Sequence, residues 1–245
     1  MTTAGPTRDT DHTAKAFDAD LRELTRMVSE LGRLVEKQIT DALDALANHN
    51  SELGQRAIAF DPQIDALQHE IEQKAVLTIA RRQPVAIDLR EIIGAISIAN
   101  DLERVGDLAK DIGERVLPPS DDLHPANLIL GVEHMGTLVL ERLRQVLDSY
   151  AKRQLDLALE VWNGDQEIDS TCTALFRELL TYIMEDARNI TYCIHLMFCA
   201  KNIERMGDHA TNIAETVYYI IEGRAIAEGR PKGDTSFAAM VAEKR

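Results

Sequence analysis

The 245-residue chain is long enough for one large domain or for two of about 100 to 120 residues, since domain sizes cluster near 100–150. Hydrophobic residues make up 45% and aromatics 4%, which suits helices packed through Leu, Ile, Val and Ala better than a β-sandwich. The net charge of −14, from 41 acidic against 27 basic residues, repels nucleic-acid backbones and anionic lipid surfaces, so nucleic acid is excluded as a partner.

No apolar run approaches the roughly 18–20 residues of a membrane span. Pro6, Arg8, Asp9 and Asp11 stand where a signal peptide would be apolar, which predicts a cytoplasmic protein that meets a membrane only through its partners. The three cysteines, Cys172, Cys193 and Cys199, show no CxxC spacing and read as buried thiols in a reducing compartment.

Residues 1–16 read as a flexible arm. From Leu21 the apolar positions Leu24, Val28, Leu31, Val35, Ile39, Ala42 and Leu46 recur in steps of three and four, which predicts one long amphipathic helix. It is expected to give way near Asp61-Pro62, where Asp could cap and Pro could occupy the first turn of a second helix. That second helix reads Ile64, Leu67, Ile71, Ala75 and Ile79 and stops before Pro84; a third runs from about Val85 to Val116.

Leu117-Pro-Pro-Ser-Asp-Asp122 is the clearest linker, so residues 17–117 form a first bundle, 118–122 the connection and 123–226 a second bundle. In the second bundle a long helix runs from about Leu123 to Trp162, another from Gly164-Asp165 to Glu185, and a third from Arg188 to about Ile226. Residues 227–245 read as a loose tail. The fold class is all-α, two three-helix bundles.

The two bundles are related in sequence. Asp61-Pro-Gln-Ile-Asp65 matches Asp165-Gln-Glu-Ile-Asp169, and Ala99 to Glu114 matches Ala200 to Glu215 at eight of sixteen positions. The offset falls from 104 to 101 between these matches, which places a three-residue deletion at the second hairpin turn.

Each repeat carries two acidic pairs spaced i, i+4: Asp61 with Asp65 and Glu103 with Asp107, then Asp165 with Asp169 and Glu204 with Asp208. A lone pair of this kind is ordinarily solvated surface. On a wheel at about 100° per residue, Glu103 and Asp107 continue the line of Ile92, Ile96 and Ala99. Counting from a turn at Pro84 puts Asp65 and Glu103 at one level of the hairpin, about 28 Å from it. Gly106 and Gly207 sit in helix interiors beside these acids, although glycine there costs about 0.5–1 kcal/mol, which predicts a close approach of backbone or ligand.

Clustered carboxylates repel one another unless a cation neutralises them, and oxygen-rich sets suit Mg²⁺, Mn²⁺, Ca²⁺ or iron. The alternative is an acidic groove that is solvated, or paired with Arg104, Arg205 or a partner's basic residues. His209 beside Asp208 reads as a solvent-side histidine rather than an outer ligand. His49, His69, His134 and His195 make no ligand spacing, and the absence of Glu-x-x-His argues against a ferritin-like di-iron site. No phosphate loop, nucleophile elbow or triad pattern occurs.

The segments Leu102-Glu-Arg-Val-Gly-Asp107 and Ile203-Glu-Arg-Met-Gly-Asp-His-Ala-Thr-Asn-Ile-Ala-Glu215 resemble the duplicated signature of the PhoU family. Arg82-Gln-Pro84 with Asp88-Leu-Arg90, and Met184-Glu-Asp186 with Arg188, resemble that family's two hairpin turns, although Ala187 stands where its proline is expected. The resemblance covers about residues 17–226. It implies paired three-helix bundles with multinuclear metal clusters of iron, zinc, manganese or magnesium at Asp61, Asp65, Glu103, Asp107, Asp165, Asp169, Glu204 and Asp208, with Asp111 and Asn212 as further ligands.

It also implies a non-enzymatic negative regulator that links the ATPase of the phosphate-specific ABC transporter, PstB, to the sensor histidine kinase PhoR, often as a homodimer. The competing readings are a metal-dependent phosphohydrolase, whose mark would be an enclosed pocket beside the acids, and a purely structural helical module.

Overall fold

The computed structural model describes residues 8–116 and 126–227. They form six helices, α1 (Arg8–Ala47), α2 (Ser51–Arg82), α3 (Ile87–Glu114), α4 (Ala126–Lys152), α5 (Leu155–Glu185) and α6 (Ile190–Glu222), with a 3₁₀ turn at Ala187–Asn189. No strand occurs among the described residues. The expected linker 118–122 lies outside the described residues, as does all of the expected tail but its first residue.

The three-and-four spacing of α1 translates directly into burial: Leu24, Val28, Leu31, Val35, Ile39, Ala42 and Leu46 are all in the core. Helix α1 starts at Arg8, however, within the segment expected to be a flexible arm.

The ends of α1 and α4 differ from expectation. Asp61-Pro62 does not start α2, and Gly164-Asp165 does not start α5; both pairs lie inside their helices. Helix α2 begins ten residues earlier, where Asn50 in extended conformation accepts the Leu53 N–H through Oδ1 at 3.0 Å. That is an ordinary N-cap. Pro62 withholds one backbone donor from the helix interior, normally a severe defect. The turn before it is tied from outside, since the Gln38 amide of α1 donates to the Ala57 carbonyl at 3.2 Å.

In α5, Gly164 reflects packing and not a helix start: a Cβ there would stand 2.8 Å from Cζ of Arg142. The true α4–α5 turn uses Arg153 at φ +54, held by an ion pair with Glu91 of α3, while Ser149 Oγ donates to the Gln154 carbonyl at 2.7 Å. The two later hairpins fall where predicted. Gln83 ends α2 in a left-handed conformation with its N–H on Ile79 O, and Asp186 closes the second turn by accepting from the Arg188 backbone and guanidinium.

Helices α1–α3 pack together, as do α4–α6, and the halves meet through α3 against α6 and α1 against α4. Among the described residues α2 and α5 do not touch, so they form opposite flanks. Buried side chains from both halves make one continuous core. The three cysteines are free and buried within it, and burial pushes the Cys172 and Cys199 thiols up to about 12. No described helix is long and apolar enough to cross a membrane.

Helices α2 and α3 approach closely at their far ends from the Pro84 turn. A Cβ on Gly54 would stand 2.9 Å from the Gly113 carbonyl oxygen, and one on Gly113 3.1 Å from that of Gly54. Gly54→Ala should therefore lower stability by about 1–3 kcal/mol in urea unfolding, despite the better helix propensity of alanine. An unchanged or raised midpoint would show that the contact has slack.

Candidate functional site

The acids of the first repeat sit on facing turns of α2 and α3. Gly106 explains how the turns come together: a Cβ there would meet Gln38 Oε1 at 3.0 Å and Ile64 at 3.2 Å, so its absence lets the α2 residue between Asp61 and Asp65 seat against α3. The second repeat does the same, with Ile168 3.0 Å from a Cβ placed on Gly207. The close approach expected at both glycines is that of a neighbouring helix.

The acids do not, however, continue the centre of the apolar stripe. The buried face of α3 is made by Ala95, Ile98, Leu102, Val105, Ala109 and Ile112, about 80° or more around the helix from Glu103 and about 120° or more from Asp107. Ile92 and Ala99, which suggested the stripe, lie at its edge. The acids therefore occupy the shoulder of the helix, Glu103 at 22% side-chain exposure and Asp107 at 40%. Glu114, which shares their angle, is exposed, and its counterpart Glu215 accepts from the Trp162 indole at 3.1 Å.

Asp61 is the buried member of the first set, at 4% exposure. Its two oxygens are engaged from opposite sides: Gln38 Nε2 donates to Oδ1 at 3.2 Å and Lys110 Nζ to Oδ2 at 2.7 Å. Lys110 Nζ also lies 3.8 Å from Asp107 Oδ1, and Arg104, exposed, touches both Glu103 and Asp107 at 3.3 Å. Gln38 is fully buried, and its Oε1 has no hydrogen-bond partner among the described residues. Sequence reasoning passed over both Gln38 and Lys110. The signal for Lys110 was its place seven residues past Glu103, two helical turns along the same face.

Desolvation raises the Asp65 carboxyl above the ordinary carboxylate range, with the charges of Asp61 and Asp107 adding to it. Glu103 is raised in the same way, first by burial and then by Asp107. The hairpin count is thus correct in outcome, because Asp61, Asp65, Glu103 and Asp107 lie within electrostatic reach of one another.

In the second repeat the equally buried Asp165 accepts the Thr211 hydroxyl at 3.1 Å. Glu204 is paired with Lys201, whose Nζ lies 2.6 Å from Oε2. Asp169 and Glu204 both bear on the Cys172 thiol, which places them around one point of the α5–α6 hairpin. Asp208 is half-buried one turn beyond Glu204.

Asp111 and Asn212, one turn further along, fare differently. Asp111 is half-buried on α3. The Asn212 amide donates to Asp101 of the other repeat at 3.4 Å. His209 is not on the solvent side either: at 20% exposure its Nδ1 lies 2.8 Å from Asp101 Oδ1, tying α6 to α3. Asp101 carries no i, i+4 acidic partner, which is why the spacing argument missed it.

Carboxylate donors, two of which, Asp65 and Glu103, are raised first by burial and then by neighbouring acids, fit a hard cation in chemical type. Among the described residues no three His, Cys, Asp or Glu side chains stand together as a ready-made ligand set, so an ion would have to draw the shoulder acids inward. Asp61, Asp65, Glu103 and Asp107, and their counterparts in the second repeat, are the residues that would hold it. Such an ion would supply positive charge to carboxylates that otherwise repel.

The chain's relatives bear on the same segments. The family model described as the PhoU domain matches residues 28–116 and again 132–217, one match per repeat. The phosphate-specific transport system accessory protein PhoU homolog of Rhizobium meliloti is 52% identical over 223 residues, 91% of this chain and 94% of that one. Its counterpart in Caulobacter vibrioides is 45% identical over 225 residues, covering 92% and 98%. The crystal structure of PhoU from Pseudomonas aeruginosa superposes with a TM-score of 0.79 at 37% identity, covering 85% of this chain and all of that one. The regulatory protein PhoU from Streptococcus pneumoniae gives the same TM-score at 30% identity.

Because the folded protein raises the Glu103 carboxyl, ionising it costs stability once pH climbs from the ordinary carboxylate range through the raised value, and costs nothing below it. Glu103→Gln should therefore raise the melting temperature of chelator-treated protein at neutral pH. The gain should fade to nothing by about pH 3.5. A melting temperature lowered at neutral pH would contradict the burial and repulsion described above.

Proposed function

The chain belongs to the PhoU family, and on that premise we propose that it is an accessory regulator of phosphate-specific transport. The observation that carries the proposal is that each family match spans one complete acidic set. In this reading the protein works on the cytoplasmic side. It restrains phosphate-starvation signalling by coupling the transporter's ATPase to its sensor histidine kinase, as a homodimer, and reaches the membrane only through these partners.

Divalent or trivalent metal ions held by Asp61, Asp65, Glu103 and Asp107, and by Asp165, Asp169, Glu204 and Asp208, organise the shoulder faces of the two hairpins. The open outer edge of the acidic set favours a contact surface over turnover. Asp107 is 40% exposed, and the cavity between Leu24, Tyr150, Glu91, Arg153 and Ile220 lies at another end of the bundle.

Elemental analysis of the purified protein beside Asp107→Ala and Glu204→Ala tests the metal. Bound metal should fall in each variant, to about half if the two sets load alike. Negligible metal in all three proteins would sink the cluster reading. Deleting the gene should switch on phosphate-starvation genes in phosphate-replete medium, and unchanged expression would remove the regulatory role.

A further inference from the structure

The two acidic sets are not equivalent, and one difference sits beside the buried aspartate of each. Lys110 of α3 and Thr211 of α6 are counterparts at the 101-residue offset, and each bonds the buried aspartate of its repeat. The Lys110 ammonium lies 2.7 Å from Asp61 Oδ2 and 3.8 Å from Asp107 Oδ1. Thr211 offers Asp165 a neutral hydroxyl at 3.1 Å, its Oγ1 lying equally near the Gly207 carbonyl of its own helix. The same step in the same helix pair is filled by a cation in one repeat and by an uncharged donor in the other.

We infer that Lys110 is a built-in counter-cation of the first set, which competes with a metal ion for Asp61 and Asp107 and so sets how readily that repeat loads. The inference rests on the reading that the acidic sets bind metal. Lys110 places an ammonium inside the set, in addition to the exposed Arg104 on its rim. A divalent ion arriving among the carboxylates meets a like charge within about 4 Å of the same oxygens, a repulsion of the order of kcal/mol even at high effective dielectric.

Lys110 is suited to leave. Its side chain is 33% exposed on a flexible four-carbon stem, whereas Asp61 is at 6% and remains fixed from the α1 side by Gln38. When the ammonium swings out, Asp61 keeps one amide bond and turns a free oxygen toward Asp65, Glu103 and Asp107. Thr211 cannot withdraw in this way, because its hydroxyl stands on the β-carbon and has no long stem to swing. The first set therefore exchanges an internal cation for an external one, and the second does not at this position.

Mn²⁺ titration by calorimetry on the full, chelator-treated chain tests this. Glu204→Gln with Asp208→Asn silences the second set, and Lys110→Thr is then added. The expected result is Mn²⁺ binding tightened by about tenfold or more at the first set, with Lys110→Arg staying close to the parent. In the reciprocal background of Glu103→Gln with Asp107→Asn, Thr211→Lys should weaken Mn²⁺ binding by a similar factor, which covers the case in which Lys110→Thr does not fold. Mn²⁺ binding that is present but indifferent to both exchanges overturns the role of Lys110 and leaves the metal reading standing. No Mn²⁺ binding in any of the proteins overturns both.

Discussion

Three helices arranged as α1–α3 leave the outer side of α3 without cover, and α6 supplies it. That packing is the constraint on which the molecule depends. Helix α3 is buried at Ile92, Ala95, Ile98, Ala99, Leu102, Val105, Leu108, Ala109 and Ile112, far too much of its circumference for a surface helix of one isolated bundle. At Gly94 the contact is close enough that a Cβ would stand 2.3 Å from Ile220 of α6. Duplication supplies α6 as the matching surface, and the two bundles fuse into one core.

Once α3 and α6 are committed to each other, only their shoulders remain for polar chemistry. The signature acids stand on those shoulders, facing the outer helices α2 and α5 across gaps narrowed by Gly106 and Gly207. The polar residues between the halves serve the joint. Asp101, His209 and Asn212 form a bridge from α3 to α6. A signature that reads as one continuous motif along α6 is thus divided in space. Glu204 and Asp208 belong to the α5–α6 hairpin, while His209 and Asn212 turn toward the other repeat.

Burial of Asp61 and Asp165 shows what their partners must supply. A buried carboxylate survives only with partners that satisfy it. Gln38 and Lys110 do so for Asp61, and a hydroxyl from α6 contributes for Asp165. Beside the buried aspartate the first repeat has placed a cation and the second a neutral donor. Sequence duplication thus preserved the acids while their immediate company diverged.

Much of this was legible in the chain itself. The three-and-four spacing of α1, the internal repeat, the Pro84 and Asp186 hairpins and the meeting of the acid pairs all follow from local periodicity and helix rise, which need no knowledge of neighbours. Proline and glycine misled where tertiary contacts override local preference: Pro62 and Gly164 lie inside helices because Gln38 and Arg142 pack against those turns. The turns actually used, at His49-Asn50 and Arg153-Gln154, carry no glycine or proline to announce them. The sequence by itself determined the helices, their duplication and the level at which the acids meet. Only the tertiary structure decided which face of α3 is buried, that Asp101 draws His209 and Asn212 away from the acids, and that Lys110 stands among them, because each is a contact between residues distant in the chain or on different sides of a helix.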